Sequence, residues 1–347
     1  MQAAFITGHG GNEVVQVGER PMPTRGPGQV LVRLRAATLN QVDLYMRNSG
    51  AGIRHQLPQI MGLDGCGVVE EVGPEETRLQ PGQRVLVYPG ITCGRCEFCL
   101  AGQPVLCASM SLLGEHRDGT FAQYLSVPAA NLFPVPDTLG DAEAAALGVN
   151  HLTAWRMVNT QARLQAHETV LIFGIGGGVS LAALQLTRLI GARTIVTSRD
   201  ELKVQRALAM GAHHAIHSPP EDVARQVMAL TDGRGVDVVI ENVGAAVWDS
   251  ALRSLVRGGR IVTCGATTGD RPPADLRRVF IRQLQVLGST LGNPGELAQV
   301  LALCQRGLLR PVIDSVYPLA DVHAALSRLE SGAQFGKIAL QIDQGRE

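Results

Sequence analysis

The chain has 347 residues, enough for two domains that each bury a core of their own. Lys plus Arg and Asp plus Glu number 31 each, so the formal charge is zero and there is no electrostatic footprint for nucleic acid or an anionic membrane. No apolar run reaches the length of a membrane span, and the opening MQAAFITGHGGNEV has neither the basic start nor the cleavage site of an export signal, so a cytoplasmic protein is expected.

Residues 1–150 read as a β-rich module. Forty glycines against 2 Trp, 4 Tyr and 7 Phe predict tight turns and close backbone approaches around cores of Val, Leu, Ile and Ala. Short β-prone runs at 30–35, 67–72, 84–88 and 124–127 are separated by Pro and Gly clusters. Within this module Cys93, Cys96, Cys99 and Cys107 follow C-x2-C-x2-C-x7-C in a loop that also holds Gly94, Arg95, Glu97 and Gly102. Thiolates at this spacing can close a tetrahedral shell around one zinc ion and leave no position for water, which is a structural site and not a catalytic one. Four unrelated buried thiols would need apolar surroundings that this loop lacks, and a disulfide pair would need an oxidising compartment. Cys66, Cys264 and Cys304 stand in apolar surroundings and read as core residues.

From residue 151 to 307 strands alternate with helices. Six apolar strands are predicted at 169–173, 193–197, 214–217, 236–241, 260–264 and 285–289. This alternation predicts right-handed crossovers and a parallel, doubly wound sheet of the dinucleotide-binding kind. The first strand runs into Gly174, Ile175, Gly176, Gly177, Gly178, Val179 and Ser180 and then an apolar helix. Such glycines let the backbone approach a pyrophosphate and set it at the helix N-terminus, where free N–H groups favour negative charge; a plain Gly-rich turn is the alternative. At the end of the second strand an acid would hold the NAD ribose, but Ser198 and Arg199 stand there, with Lys203 a turn further on. That favours NADP(H) over NAD(H). A Ser198–Glu201 capping box is the competing reading, and Asp200 lies close by. His213, His214 and His217 fall in or beside a strand and read as structural. Residues 308–347 return to β character at 337–342 and are expected to complete the first domain.

The cysteine lobe in a β-rich module, the Gly-rich six-strand domain and the terminal GKIALQI together resemble the medium-chain dehydrogenase/reductase superfamily. The resemblance covers essentially the whole chain. It implies an α/β protein with a GroES-like catalytic domain at 1–150 and 308–347, a six-stranded Rossmann coenzyme domain at 151–307, one structural zinc, a small-molecule substrate and a homodimer or homotetramer. In zinc alcohol dehydrogenases of that family, three ligands hold a catalytic zinc. The corresponding positions here fall at Asn40, in Gly62-Leu63-Asp64, and near Val149, a set that does not bind zinc. A rebuilt site using Asp64, His151 and His116 is the alternative.

The stretch from Asn40 to Tyr45 instead resembles the N-x-V-D-x-Y segment of quinone oxidoreductases. The last glycine of that branch's nucleotide turn is Ser180 here, and its usual members lack the cysteine lobe. Without a Lewis acid, hydride addition to a quinone or enone is the better fit, because hydrogen-bond donors can stabilise the delocalised anion it makes. The resemblance places Asn40 and Tyr45 where nicotinamide and substrate meet. It places Thr153, Gly177, Gly178 and Val179 at the pyrophosphate and nicotinamide, Ser198, Arg199 and Lys203 at the adenosine phosphate, and Asn242, Gly265 and Ala266 at later strand ends. The expected protein is thus an NAD(P)H-dependent oxidoreductase of quinones, enones or activated carbonyls. An alcohol dehydrogenase with atypical ligands and a non-catalytic nucleotide-binding scaffold or redox sensor are the alternatives.

Overall fold

A computed structural model describes residues 1–342. Its chain divides into two compact units, one from Met1–Leu152 together with the chain from Asn293 on, the other Thr153–Gly292.

The first unit is built on a seven-stranded sheet. Its strands run in the order Leu132–Pro134, Arg84–Val87, Asp64–Glu71, Gln29–Thr38, Lys337–Gln341 and Ile313–Pro318, and Tyr124–Pro128 also pairs with Gln29–Thr38. Alternating apolar residues Val30, Val32 and Leu34 on the central strand pack with Val69, Val85 and Val127 in one core, as the two-residue period of a strand requires. Register decides the site. Thr38 sits opposite Asp64 on one side and Ala339 on the other. Lys337 lies two residues before Ala339, on the same face of its strand. Gly336 delivers the chain into that strand at φ +120°, where a Cβ would stand 2.4 Å from Val312 O, so a side chain is excluded there.

The second unit carries a six-stranded, wholly parallel sheet in the order His214–His217, Arg193–Ser198, Thr169–Ile172, Val236–Glu241, Leu255–Thr263, Gln285–Gly288. Numbered along the chain this is 3-2-1-4-5-6, the Rossmann order, with its switch point between Thr169–Ile172 and Val236–Glu241. All six strands predicted for this region are present.

The second boundary differs from the expected residue 307. The chain rejoins the first unit at Asn293, because that side chain is already committed there: its Oδ1 accepts from Val105 N at 3.0 Å and its Nδ2 donates to Gln103 Oε1 at 3.1 Å. The helix Pro294–Gln305 that follows therefore belongs to the first unit, not to the parallel sheet. No helix among the described residues is long and apolar enough to cross a membrane.

Candidate active site and metal centre

The four cysteines converge. All four sulfurs lie within 4.8 Å of one another, with Sγ–Sγ separations of 3.5 Å for Cys96–Cys99, 3.6 Å for Cys93–Cys107 and 4.0 Å for Cys93–Cys99. A disulfide needs about 2.05 Å, whereas a tetrahedral ion with Zn–S bonds of about 2.3 Å sets its sulfurs roughly 3.8 Å apart. Backbone N–H groups of Arg95 and Cys96 aim at Cys93 and bring its thiol down to about 6, which favours the thiolate a metal needs. Donor set and spacing thus fit a closed zinc site. Burial pushes the Cys99 thiol the other way, up to about 11, and the Cys264 and Cys304 thiols up to about 12.

In the same unit, the helix Gln41–Asn48 begins at Asn40, whose backbone N–H donates to Asp43 Oδ2 at 2.6 Å. The Asn40 side chain is not spent on this cap. Its Nδ2 donates to Asp64 Oδ2 at 2.9 Å and Thr38 O at 3.4 Å, while its Oδ1 accepts from Asn150 Nδ2 and from Lys337 Nζ at 2.7 Å. Lys337 Nζ further donates to Leu39 O at 2.6 Å and Asp64 Oδ2 at 3.3 Å, and Thr38 Oγ1 donates to the same oxygen at 2.8 Å. Lys337 and Asp64 are both buried, with side chains 3% and 0% exposed. Burial depresses the Lys337 ammonium from its ordinary range, and Asp64 and Asp43 oppose that. Burial also pushes the Asp43 carboxyl up to about 7, against the Asn40 N–H bond and the Lys337 charge.

His151 Nδ1 lies 3.2 Å from Ala146 O, and burial lowers this ring to about 4, so it is neutral at pH 7 with its Nε2 unprotonated. That Nε2 and Asp64 Oδ1 are buried without hydrogen-bond partners among the described residues. Tyr45 is half-buried on the Asn40 helix. Asp64 thus takes the Lys337 ammonium, the Asn40 side-chain amide and the Thr38 hydroxyl on one carboxylate oxygen. Sequence reasoning missed Lys337 and Asn150, although a lysine opening the otherwise buried strand KIALQ was a signal.

In the second unit Gly177, Gly178, Val179, Ser198, Arg199, Asn242, Gly265 and Ala266 lie at or just beyond the carboxyl ends of the strands. Gly177 is the N-cap of the helix Gly178–Ile190, whose first N–H groups, at Gly178 and Val179, have no acceptor within the helix. Gly174 takes φ +66°, and a Cβ there would stand 3.1 Å from Val243 Cγ2 and 3.5 Å from Asn242 Oδ1. Gly265 likewise faces Asn242 O, and Ala266 faces Gly244. Ser180, in the place of a glycine, turns its hydroxyl onto Gly174 O at 2.8 Å and Gly177 O at 3.0 Å, tying the turn together. The turn and helix end suit a pyrophosphate. Glu241, missed from sequence, is fully buried and holds the Asn242 bend by accepting from Val243 N and Gly244 N at 2.5 and 2.6 Å and from Thr263 Oγ1 at 2.8 Å. Thr153 is buried in the first helix of this unit.

At the tip of the second strand the competing Ser198–Glu201 capping box does not form. Asp200 caps the helix instead, accepting from Leu202 N at 2.9 Å and Lys203 N at 3.3 Å, while Ser198 Oγ accepts from Asp200 N at 3.0 Å. Asp fits the cap because its short carboxylate reaches back to the first-turn N–H groups. Arg199 is exposed there. The three nearby histidines are paired: His213 Nδ1 accepts from Thr194 N, His214 meets Arg193 Nη2, and His217 donates to Arg199 O.

Comparison with known proteins bears on both units. Residues 26–137 match the alcohol dehydrogenase GroES-like domain and residues 178–306 the zinc-binding dehydrogenase family. The NAD-dependent alcohol dehydrogenase of Saccharolobus solfataricus is 30% identical, covering 92% of this chain and 94% of its own. The quinone oxidoreductase of Mus musculus is 29% identical over 98% and 97%. A crystal structure of an NAD-dependent alcohol dehydrogenase superposes with a TM-score of 0.95 at 40% identity, covering 99% of this chain and all of that one. With its GroES-like unit, its Rossmann sheet and its four-cysteine zinc cluster, the chain belongs to the medium-chain dehydrogenase/reductase superfamily of oxidoreductases.

Proposed function

We propose that this protein is an NADP(H)-dependent reductase of quinones, enones or related activated carbonyls that works without a catalytic zinc. The observation that carries this reading is the Lys337 ammonium bonded to Asn40 Oδ1 and Asp64 Oδ2. Asn40 stands at a position where relatives resembling this chain place a zinc ligand. An ammonium is already bonded to the Asp64 carboxylate, and a divalent ion beside it would be repelled. The other ligand positions hold Leu63, buried and apolar, and Val149. This donor set does not fit a zinc ion.

Nicotinamide, when bound, supplies or accepts the hydride. What the chain contributes is position and charge. Asn40 uses all of its amide inside the cluster, so it orients the start of the Tyr45 helix and is a positioning residue; the expected direct role falls to Tyr45, whose hydroxyl is the donor to the developing enolate or hydroquinone oxygen. Gly177, Gly178 and Val179 would receive the pyrophosphate, and Asn242, Gly265, Ala266 and Thr153 would line the rest of the dinucleotide. The preference for a 2′-phosphate rests on Ser198, Arg199 and Lys203 and on Asp200 being occupied as a helix cap. The NAD-dependent relatives make NAD(H) the competing cofactor. Strand Gln285–Gly288, an exposed sheet edge with Val286 47% exposed, would pair two copies of the chain.

A second reading, an alcohol dehydrogenase with an atypical metal, is favoured by the partnerless Asp64 Oδ1 and His151 Nε2. Elemental analysis of chelator-washed protein separates the two. One tightly held zinc per chain, with NADPH oxidation by quinones and enones but none by simple aldehydes, is the expected result. Two tightly held zincs, one lost in His151→Asn, together with alcohol oxidation, would overturn the zinc-free reading.

A further inference from the structure

We infer that His9 and His55 form a second, labile site for a borderline transition-metal ion such as Zn2+ or Ni2+, separate from both the cysteine lobe and the Lys337 cluster. His9 Nδ1 lies 3.0 Å from Met46 O. A carbonyl only accepts, so Nδ1 carries the proton of the neutral ring and Nε2 presents a lone pair. That lone pair faces His55 Nδ1 at 3.4 Å, with ring centroids 5.1 Å apart and planes inclined by 46°.

For a tetrahedral ion with metal–nitrogen bonds of about 2.0–2.1 Å, two ligand nitrogens stand roughly 3.3–3.4 Å apart. The two imidazoles are therefore already one ligand edge from each other. As a hydrogen bond the same contact is at the outer limit of length. Neither tautomer of His55 satisfies both of its nitrogens. With the proton on Nδ1 the bond is long and Nε2 is bare and shielded from water, where it has no partner. With the proton on Nε2 two lone pairs oppose each other. An ion between the rings would take both lone pairs.

The surroundings suit the same ion. A carbonyl behind the far nitrogen, as Met46 O stands behind His9, is the usual support that fixes a metal-bound imidazole. Two imidazoles with water in the remaining positions make a weaker, exchangeable site than four thiolates. Occupancy would tie the loop after strand Gln2–Ile6 to residues 46–55, at the end of the helix that carries Tyr45.

The test is calorimetric titration of tag-free protein, its cysteine lobe zinc-loaded and its loosely held metal removed, with Ni2+. The expected result is one Ni2+ per chain for the wild type, binding at least tenfold weaker in His9→Ala and in His55→Gln, and unchanged binding in His217→Ala. Thermal melts of the metal-free variants show that each is folded, and a rise in melting temperature on adding Ni2+ should be seen in the wild type and lost in both. Undiminished binding in folded His9→Ala and His55→Gln overturns the site. Loss in His151→Asn with retention in His9→Ala would also overturn it, and would move the ion to the Lys337 cluster.

Discussion

Replacing Lys337 with Met removes a charge and keeps the length of the side chain. In the folded protein that ammonium makes three hydrogen bonds, to Leu39 O, Asn40 Oδ1 and Asp64 Oδ2, in a site closed to water. Removing one member of a buried pair strands the other, at a cost of about 3–5 kcal/mol. For a unit of this size each kcal/mol lowers the melting temperature by roughly 2–4 °C, so Lys337→Met should melt about 6–20 °C below the wild type. Most of the penalty is the desolvation of an unpaired Asp64. Adding Asp64→Asn should therefore recover much of the loss, since two neutral groups of the same shape leave no buried charge. Calorimetric melts of the two single variants, the double variant and the wild type form a closed cycle that isolates the coupling. The reasoning fails if Lys337→Met melts within about 2 °C of the wild type, or if the double variant is no more stable than Lys337→Met alone.

The same cluster predicts a pH dependence. The stability that Asp43 contributes is present below the ordinary carboxylate range and fades as pH climbs to about 7, whereas that of His151 is present above the ordinary imidazole range and fades as pH falls toward about 4. The two slopes oppose each other between roughly pH 4 and 6.5. Asp43→Asn should then lose stability more steeply on acidification, and His151→Asn less steeply, than the wild type in urea melts; parallel profiles would refute both assignments. In the cysteine lobe, Cys96→Ser with Cys99→Ser should abolish the tightly held zinc and destabilise the lobe while cofactor affinity changes little, and an unchanged zinc content would sink the closed-site reading. Arg199→Glu should shift kcat/KM from NADPH toward NADH by roughly 10-fold to 100-fold, the value of one charge-assisted contact; equal ratios in variant and wild type would remove Arg199 from the cofactor site. Gly174→Ala, forced into φ +66°, should cost about 1–2 kcal/mol and weaken dinucleotide binding, readable by fluorescence titration; wild-type affinity would show that the turn does not meet the cofactor.

Local spacing made much of this protein legible. Cys93, Cys96, Cys99 and Cys107 lie within one short stretch, so their convergence needed only a loop, and the sequence sufficed to name the ion that fits. The six parallel strands were equally readable, because each is a short apolar run bounded by turns and each pairs through a crossover whose handedness is fixed. The Asn40 cluster was not. Lys337 and Asn40 are 297 residues apart, and only the register that sets Thr38 between Asp64 and Ala339 brings them together. The domain boundary moved for a related reason: Asn293 takes its partners at Val105 and Gln103, 188 and 190 residues earlier, and no local composition marks that. At Ser198 the local pattern was ambiguous, since Ser198 and Asp200 both suit a helix cap, and the carboxylate prevailed by reaching two backbone N–H groups. Sequence by itself determined the cysteine lobe, the glycine-rich turn and the order of the elements, which rest on contacts within a few residues. Only the tertiary structure decided which polar groups share the buried site, because pairing across distant strands depends on register, which no short window of sequence contains.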